Sequence, residues 1–227
     1  MDYSEKSKHL MHLYENLLRF YGPQHWWPAK TRWEVCVGAI LTQNTNWGNV
    51  EKAILNLKNA GFLMREGEQS ELQSEKSQKY PEKLLLSTHD EIASLIRPSG
   101  YFNIKAKRLH SIAEWWLNNT KNGALNQYSN DPIQLRDSLL QVNGVGPETA
   151  DTITLYAFNL PIFVIDTYTK RVSSIYLKTP IDIKYDDLQF IFMRNLNPDP
   201  ELFNEFHALI VKLAKEKDWQ AILREMI

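Results

Sequence analysis

Two glycines in the second half of the chain stand where a backbone could hold a phosphate. Residues 139–151 predict a helix, a turn containing Gly144 and Gly146, and a second helix that begins at Pro147. Glycine permits positive φ and close approach of the backbone. Free N–H groups and the positive end of the helix dipole would then meet a phosphate oxygen at the turn. The alternative is a helix–helix turn without a ligand, and Gly-x-Gly alone does not exclude it.

The motifs in and around this turn resemble those of the endonuclease III superfamily of DNA glycosylases. The pattern Leu-x-x-Val-x-Gly-Val-Gly-x-x-Thr-Ala, which starts at Leu139, is similar to the helix–hairpin–helix of that family. Downstream, residues 164–167 and 171–172 match the family's Val-Asp-Thr and Arg-Val segments, with one residue inserted. Segments at 38–45 and 100–108 are also similar, so the resemblance covers about two thirds of the chain.

The resemblance implies an all-α protein with the helix–hairpin–helix DNA glycosylase fold and an active-site cleft between two helical subdomains. It predicts a six-helix-barrel-like domain at 32–160, with the hairpin at 139–151, and a second helical domain made of 1–31 and 161–227. A monomer acting on double-stranded DNA is expected, which flips a damaged base out of the duplex and cuts its bond to the sugar.

Asp166 is the catalytic residue that the resemblance implies. Cutting an N-glycosidic bond builds positive charge on the sugar, and a carboxylate beside the sugar stabilises that charge and can orient a water. Asp is also a favoured N-cap, and Asp166 directly precedes a helix predicted to begin at Thr167. Both roles can hold at once.

Nine residues are expected to contact DNA. The family's counterpart of Gln43 enters the base stack and fills the gap left by the flipped base, and Lys170 and Arg171 are the best candidates for phosphate contacts. The full set is Gln43, Asn44, Thr45, Gly144, Val145, Gly146, Thr149, Lys170 and Arg171. Solvated helix faces are the favoured interpretation of the other basic clusters, namely Arg97, Lys105, Lys107 and Arg108, and Lys212, Lys215 and Lys217.

Glu148 occupies the position where strand-cutting members of the family carry a lysine. That lysine attacks the sugar and forms a Schiff base, which a carboxylate cannot do. The resemblance therefore predicts a glycosylase without AP lyase activity, in which water is the nucleophile. Glu148 either contacts the flipped base or only favours the first turn of its helix electrostatically.

The segment Trp26-Trp27-Pro28 suggests an alkylated purine as the substrate. Together with Glu148, it resembles the 3-methyladenine glycosylases of the family. Alkylated purines are cationic, so tryptophan faces attract them and the base leaves without a general acid. The predicted base pocket contains Trp26, Trp27, Pro28, Glu148 and, from the last long helix, Lys215. The alternative for the two tryptophans is packing of the N-terminal helix against the core.

No cofactor is expected to be required. Cys36 is the single cysteine, so the four-cysteine iron–sulfur cluster of some relatives cannot form within this chain. The resemblance makes the main-chain carbonyls of Leu140, Val142 and Val145 candidate ligands of a structural sodium or potassium ion.

Hydrophobic periodicity indicates helices along most of the chain. The expected helices include one around Leu10–Leu18, others within 31–41, 50–61, 91–96, 105–116, 132–141 and 147–158, and a long one at about 204–219. A polar stretch at 65–78 predicts an exposed loop, and the apolar run at 161–165 predicts a buried, extended connector.

The bulk composition is that of an ordinary globular protein. The net charge is −1, so any DNA-binding surface must come from local clustering of basic residues. The chain starts with a charged, helix-periodic segment and contains no apolar stretch long enough to span a membrane. We therefore expect a cytoplasmic protein, associated with the nucleoid if the source is bacterial.

Two other functions fit parts of the pattern. The first keeps the fold but removes mismatched or oxidised bases, with or without AP lyase activity. The second is a non-enzymatic protein that binds DNA through the hairpin alone. Base release from defined lesions distinguishes the first, and loss of excision without loss of DNA binding in an Asp166 variant would exclude the second.

Overall fold

The computed structural model describes residues 3–65, 78–120 and 131–226. The polar loop expected at 65–78 lies, except for its two end residues, outside these ranges. Within them the chain is helical, as predicted, with twelve α-helices and a short 3₁₀ turn at Arg97–Ser99. The helices are α1 Tyr3–Tyr21, α2 Arg32–Leu41, α3 Trp47–Asn59, α4 Lys79–Leu86, α5 His89–Leu95, α6 Phe102–Thr120, α7 Pro132–Leu140, α8 Pro147–Thr152, α9 Thr167–Tyr176, α10 Tyr185–Asn195, α11 Pro200–Lys215 and α12 Trp219–Glu225.

Local signals explain most of the helix boundaries. The side chains of Thr31, Asn46 and Thr88 accept hydrogen bonds from backbone N–H groups in the first turns of α2, α3 and α5. Gly22 adopts φ +70 directly after the end of α1, as expected of a glycine at that position. One π-helical turn, Ile153–Ala157, continues α8 toward the predicted end near residue 158.

Two predictions about helices were wrong. Helix α4 was not expected, because a short helix with Pro81 in its first turn gives little periodic signal. Helix α11 was expected at 204–219 but begins at Pro200, since the Asp199 carboxylate caps it by accepting from the N–H groups of Glu201 and Leu202. It ends at Lys215, and Trp219 starts a separate helix.

The chain groups into two compact units. The first comprises residues 1–28 and 159–227, and the second comprises residues 29–158. In the first unit, Phe163 of the extended segment stacks on Phe192, with ring centroids 4.2 Å apart, and also packs against Phe203 and Phe206. The extended segment at 161–165 is buried along most of its length, as predicted. This aromatic cluster fixes the segment that leads into Asp166.

In the second unit, α2 forms the centre of the core, and its residues from Trp33 to Leu41 are buried. Trp115 and Trp116 of α6 are buried as well, so both pack in the core. Trp116 contacts the rings of Trp33 and Phe158, and the Trp115 Nε1–H donates to Ser138. Among the described residues, no helix is both long enough and apolar enough to cross a membrane.

Candidate functional site

The hairpin of the second unit presents glycine backbone at its tip. Gly144 has φ +85, and the Val145 N–H donates to the Val142 carbonyl at 3.0 Å to close the turn. Gly146, in an extended conformation, is the N-cap of α8. Val142 and Val145 are buried, whereas Gly146 is exposed. The two valines anchor the turn in the core and the second glycine faces solvent.

A side chain from α6 covers Gly144. A Cβ atom added at this position would lie 2.3 Å from Cγ and 2.6 Å from Cδ of Arg108. Real Cβ atoms do not approach other atoms this closely, and positive φ already disfavours other residues. Two features therefore require glycine at position 144. One is its backbone conformation, and the other is the Arg108 side chain that packs on it.

The three residues of the predicted DNA-contacting turn at 43–45 have different surroundings. The Gln43 amide nitrogen donates to the Gly144 carbonyl and to the Thr149 hydroxyl, each at 3.0 Å, and Arg108 donates to its amide oxygen. Asn44 is exposed, with φ +52. The Thr45 hydroxyl donates to the Ser99 carbonyl. In this structure Gln43 and Thr45 are engaged with the protein, and Asn44 faces solvent.

The position of Lys105 differs from the sequence prediction that it lies on a solvated helix face. Its side chain is 1 % exposed, so it does not belong to a solvated helix face. The ammonium group donates to the carbonyls of Leu41 and Ser99, at 2.8 and 2.7 Å, and to the Thr45 hydroxyl at 2.9 Å. Burial, together with the nearby positive charge of Arg108, lowers the pKa of Lys105 to about 8, so the amine remains mostly protonated at neutral pH.

Replacing Lys105 with Met should lower the free energy of unfolding by about 2 kcal/mol, because three acceptors lose their donor while a costly buried charge is removed. Above pH 8 the difference in the free energy of unfolding between the wild type and the variant should increase. The unfolded amine binds its proton more tightly than the folded one, so wild-type stability rises relative to the variant between pH 8 and about 10. Chemical denaturation at pH 7 and pH 9.5 measures both effects.

Lys107→Met is the matched control, since Lys107 is exposed on the same helix. It should change stability by less than about 0.5 kcal/mol at either pH. Equal effects of the two substitutions would show that the three hydrogen bonds of Lys105 contribute nothing.

Asp166 lies at the start of α9 in the first unit. Its Oδ1 accepts hydrogen bonds from the backbone N–H and the hydroxyl of Thr169, at 2.7 and 2.9 Å. Its Oδ2 lies 3.5 Å from Nε2 of His207 on α11. Burial acts to raise the pKa of this carboxyl, but the contacts with His207 and Thr169 outweigh it, so the pKa falls below its usual value. Asp166 is therefore both the N-cap and a partly buried, ionised carboxylate.

His207 was not identified from the sequence. It follows the buried Phe206 on α11 and is itself buried, so its position resembles that of an ordinary core residue. Nothing in the local pattern links it to Asp166, because the two are brought together only by the packing of α9 on α11. A histidine among the apolar residues of that helix was the only available signal.

Two of the predicted basic site residues of the first unit, Arg171 and Lys215, lie against aromatic rings. The Arg171 guanidinium lies 5.1 Å from the centre of the Trp219 ring, and the Lys215 amine lies 5.8 Å from that of Tyr168. Lys170, on α9, is partly exposed. Such contacts restrict the positions of Arg171 and Lys215 while leaving the cationic groups beside α9.

The remaining residues of the predicted base pocket fall in both units. Trp26 and Trp27 contact each other edge to face, with centroids 5.6 Å apart, and both are partly exposed, while Pro28 is exposed. These three belong to the first unit, as do Asp166 and Lys215. Glu148 belongs to the second unit, where its side chain is exposed and its carbonyl accepts from the Thr152 hydroxyl.

Comparison with known proteins places this geometry in a family. Residues 37–198 match the family described as HhH-GPD superfamily base excision DNA repair protein. A relative from Methanocaldococcus jannaschii, provisionally named a DNA repair glycosylase, is 44 % identical over 90 % of this chain and 86 % of its own length.

Two solved structures are similar to this chain over most of its length. The H. pylori 3-methyladenine DNA glycosylase bound to 1,N6-ethenoadenine has a TM-score of 0.72 and 30 % identity, covering 96 % of this chain and 99 % of its own. An endonuclease III in a non-covalent complex with DNA has a TM-score of 0.68 over 90 % of this chain and 84 % of its own. Its identity is 16 %, so that similarity concerns the fold alone.

Proposed function

This chain belongs to the HhH-GPD superfamily of base excision DNA repair proteins, and we propose that it is a monofunctional DNA glycosylase that releases an alkylated purine, such as 3-methyladenine, from double-stranded DNA. The observation that carries the proposal is the state of Asp166. Its carboxylate is held by two hydrogen bonds from Thr169, lies near His207, and has a lowered pKa. A fixed, ionised carboxylate is the group that breaking a glycosidic bond requires.

The reaction proceeds by loss of the base from the sugar. As the C–N bond breaks, its electrons leave with the base and the sugar becomes an oxocarbenium ion, which the negative charge of Asp166 stabilises. Water then adds to the sugar carbon and gives up a proton, leaving an abasic site. Asp166 orients that water with the oxygen that Thr169 leaves uncovered, Oδ2.

An alkylated purine suits a site with this chemistry. Such a base carries positive charge and departs as a neutral molecule, so no acid has to protonate it. Trp26 and Trp27, both partly exposed, offer aromatic faces for a cationic base. The 30 % identical H. pylori neighbour, a 3-methyladenine glycosylase bound to a modified adenine, supports the same class of substrate.

Glu148 supports the proposed absence of strand cleavage. This residue is exposed in the first turn of α8, at the position where the strand-cutting members of the family carry the lysine nucleophile. Water is then the nucleophile and the DNA strand stays intact. We propose that the protein acts as a monomer, since base flipping by this mechanism uses one copy of each group.

We also propose that the hairpin binds a structural sodium or potassium ion. Helix α7 ends at Leu140, so the carbonyls around this residue lie at a helix C-terminus, where the helix dipole places partial negative charge. Together with the carbonyls of Val142 and Val145, that of Leu140 would hold the ion. Its chemistry there is purely electrostatic, favouring the negative charge of a DNA phosphate.

A panel of duplexes tests the proposal, each containing one defined lesion and each assayed for base release. We expect release of 3-methyladenine from methylated DNA, with the strand cut only after alkali or heat. Sodium borohydride should trap no covalent protein–DNA adduct. Release of thymine from mismatches or of 8-oxoguanine, without release of alkylated purines, would contradict the proposal that the substrate is an alkylated purine. A trapped adduct would overturn the monofunctional assignment, because another lysine would then be the nucleophile.

A further inference from the structure

Helix α6 carries two cations, one turn apart, that contact the same loop. We call residues 42–45, which follow α2, the Gln43 turn. Lys105 donates to the Leu41 carbonyl just before the turn and to the Thr45 hydroxyl at its end. The buried amine therefore holds both ends of the turn on α6.

Arg108 contacts the middle of the Gln43 turn and the hairpin at the same time. Its guanidinium donates to the amide oxygen of Gln43, and its aliphatic chain covers Gly144. The amide nitrogen of Gln43 in turn donates to the Gly144 carbonyl and the Thr149 hydroxyl. Three segments distant in sequence thus form a closed network, with both ends of the Gln43 amide engaged.

The network is exposed at its edges. Asn44 and Gly146 are exposed, while Arg108, Gln43 and Gly144 are partly buried. The guanidinium of Arg108 is directed at a protein acceptor, Gln43. Its geometry is that of a group that holds two backbone turns in register.

We propose that Arg108 is a positioning residue that couples the Gln43 turn to the hairpin, so that the two turns bind the DNA backbone as one preorganised surface. This inference rests on the proposed function only in requiring that the protein bind DNA. If the two turns are already ordered in the free protein, DNA binding does not incur the entropic cost of ordering them. The surface then binds phosphates through backbone and polar groups while Arg108 stays bonded to Gln43, so in this proposal the Gln43 side chain remains in its turn and does not enter the base stack as the resemblance implies.

Arg108→Met tests the coupling, because Met keeps much of the aliphatic cover over Gly144 but cannot donate to Gln43. We expect the Kd for a duplex containing a tetrahydrofuran abasic analogue to rise about tenfold, in line with the cost of ordering side chains on binding. KM for base release should rise similarly while kcat stays within about twofold. The abasic analogue has no base to release, so this binding test is independent of which lesion the protein excises.

Two further measurements separate positioning from direct contact. The slope of log Kd against log salt should stay the same in Arg108→Met, whereas losing a phosphate ligand would reduce it by about one. The double variant Gln43→Ala/Arg108→Met should bind DNA no more weakly than whichever single variant has the higher Kd. Both substitutions remove the Arg108–Gln43 hydrogen bond, so their effects should not add. Arg108→Lys, which can still donate to Gln43, should recover part of the affinity and provides the test if Arg108→Met does not fold.

Lys107→Met is the charge-matched control, exposed on the same helix. Its effect on Kd should be smaller than that of Arg108→Met. The proposal is overturned if the two variants weaken binding equally, if the salt slope falls by about one in Arg108→Met, or if the Gln43 and Arg108 effects multiply.

Discussion

The Asp166→Asn protein is expected to release damaged bases about 1000-fold more slowly than the wild type, since electrostatic stabilisers of this kind contribute roughly that much to kcat. Asn has the same shape, and its oxygen can still accept from the backbone N–H of Thr169, so α9 keeps its cap. The negative charge is lost, and an amide nitrogen replaces Oδ2, the atom that lies near His207 and that we propose orients the water. Single-turnover base release measures the rate, and fluorescence anisotropy with duplex DNA should show a Kd within about threefold of wild type.

Asp199→Asn is the matched control in the same unit. Asp199 also caps a helix, accepting from the N–H groups of Glu201 and Leu202, and the substitution removes the same charge. It should leave excision unchanged within about twofold. An Asp166→Asn protein that keeps more than about a tenth of wild-type activity would contradict a catalytic role for the carboxylate. Undetectable excision by the wild type as well would favour the non-enzymatic DNA-binding alternative.

Arg136→Met should be the most destabilising of the substitutions discussed, lowering the free energy of unfolding by about 3 kcal/mol. The Arg136 Nε donates to Oδ1 of Asp151 at 2.7 Å, and the Asp151 side chain is fully buried. Arg136 lies on α7 and Asp151 on α8, so the pair joins the two helices of the hairpin. Removing the arginine takes away a positive charge that lies directly against the buried carboxylate. Urea denaturation monitored by circular dichroism measures the loss.

Two further variants identify the cause of the stability lost in Arg136→Met. Arg136→Met/Asp151→Leu removes both charges and should recover to within about 1 kcal/mol of wild type, because a buried pair can be replaced by apolar side chains at little cost. Lys212→Met breaks the exposed Lys212–Glu216 pair, at 3.3 Å, and should cost less than about 1 kcal/mol. If Arg136→Met is no worse than Lys212→Met, the buried pair does not stabilise the hairpin.

Properties that depend on a few neighbouring residues could be predicted from the sequence. The cap at Asp166 determines the start of its helix through contacts within one turn, and the predicted start at Thr167 agrees with the structure. The start of α11 was missed although its signal was equally local, since Asp199-Pro200 is a strong cap and first-turn pair. The hydrophobic period of α11 does not include this cap.

The sequence by itself determined the all-α class, the hairpin with its glycines, and the family, because helix periodicity, capping and motif spacing are short-range properties. The tertiary structure alone decided that Lys105 is buried under the Gln43 turn, that Arg108 covers Gly144, and that His207 lies beside Asp166. Burial and partner choice depend on which helices pack together, and residues far apart in the chain carry no mutual signal in one sequence. The N-cap role of Asp166 was therefore predictable from the sequence, whereas its contact with His207 and the contacts of Lys105 and Arg108 with the Gln43 turn were not.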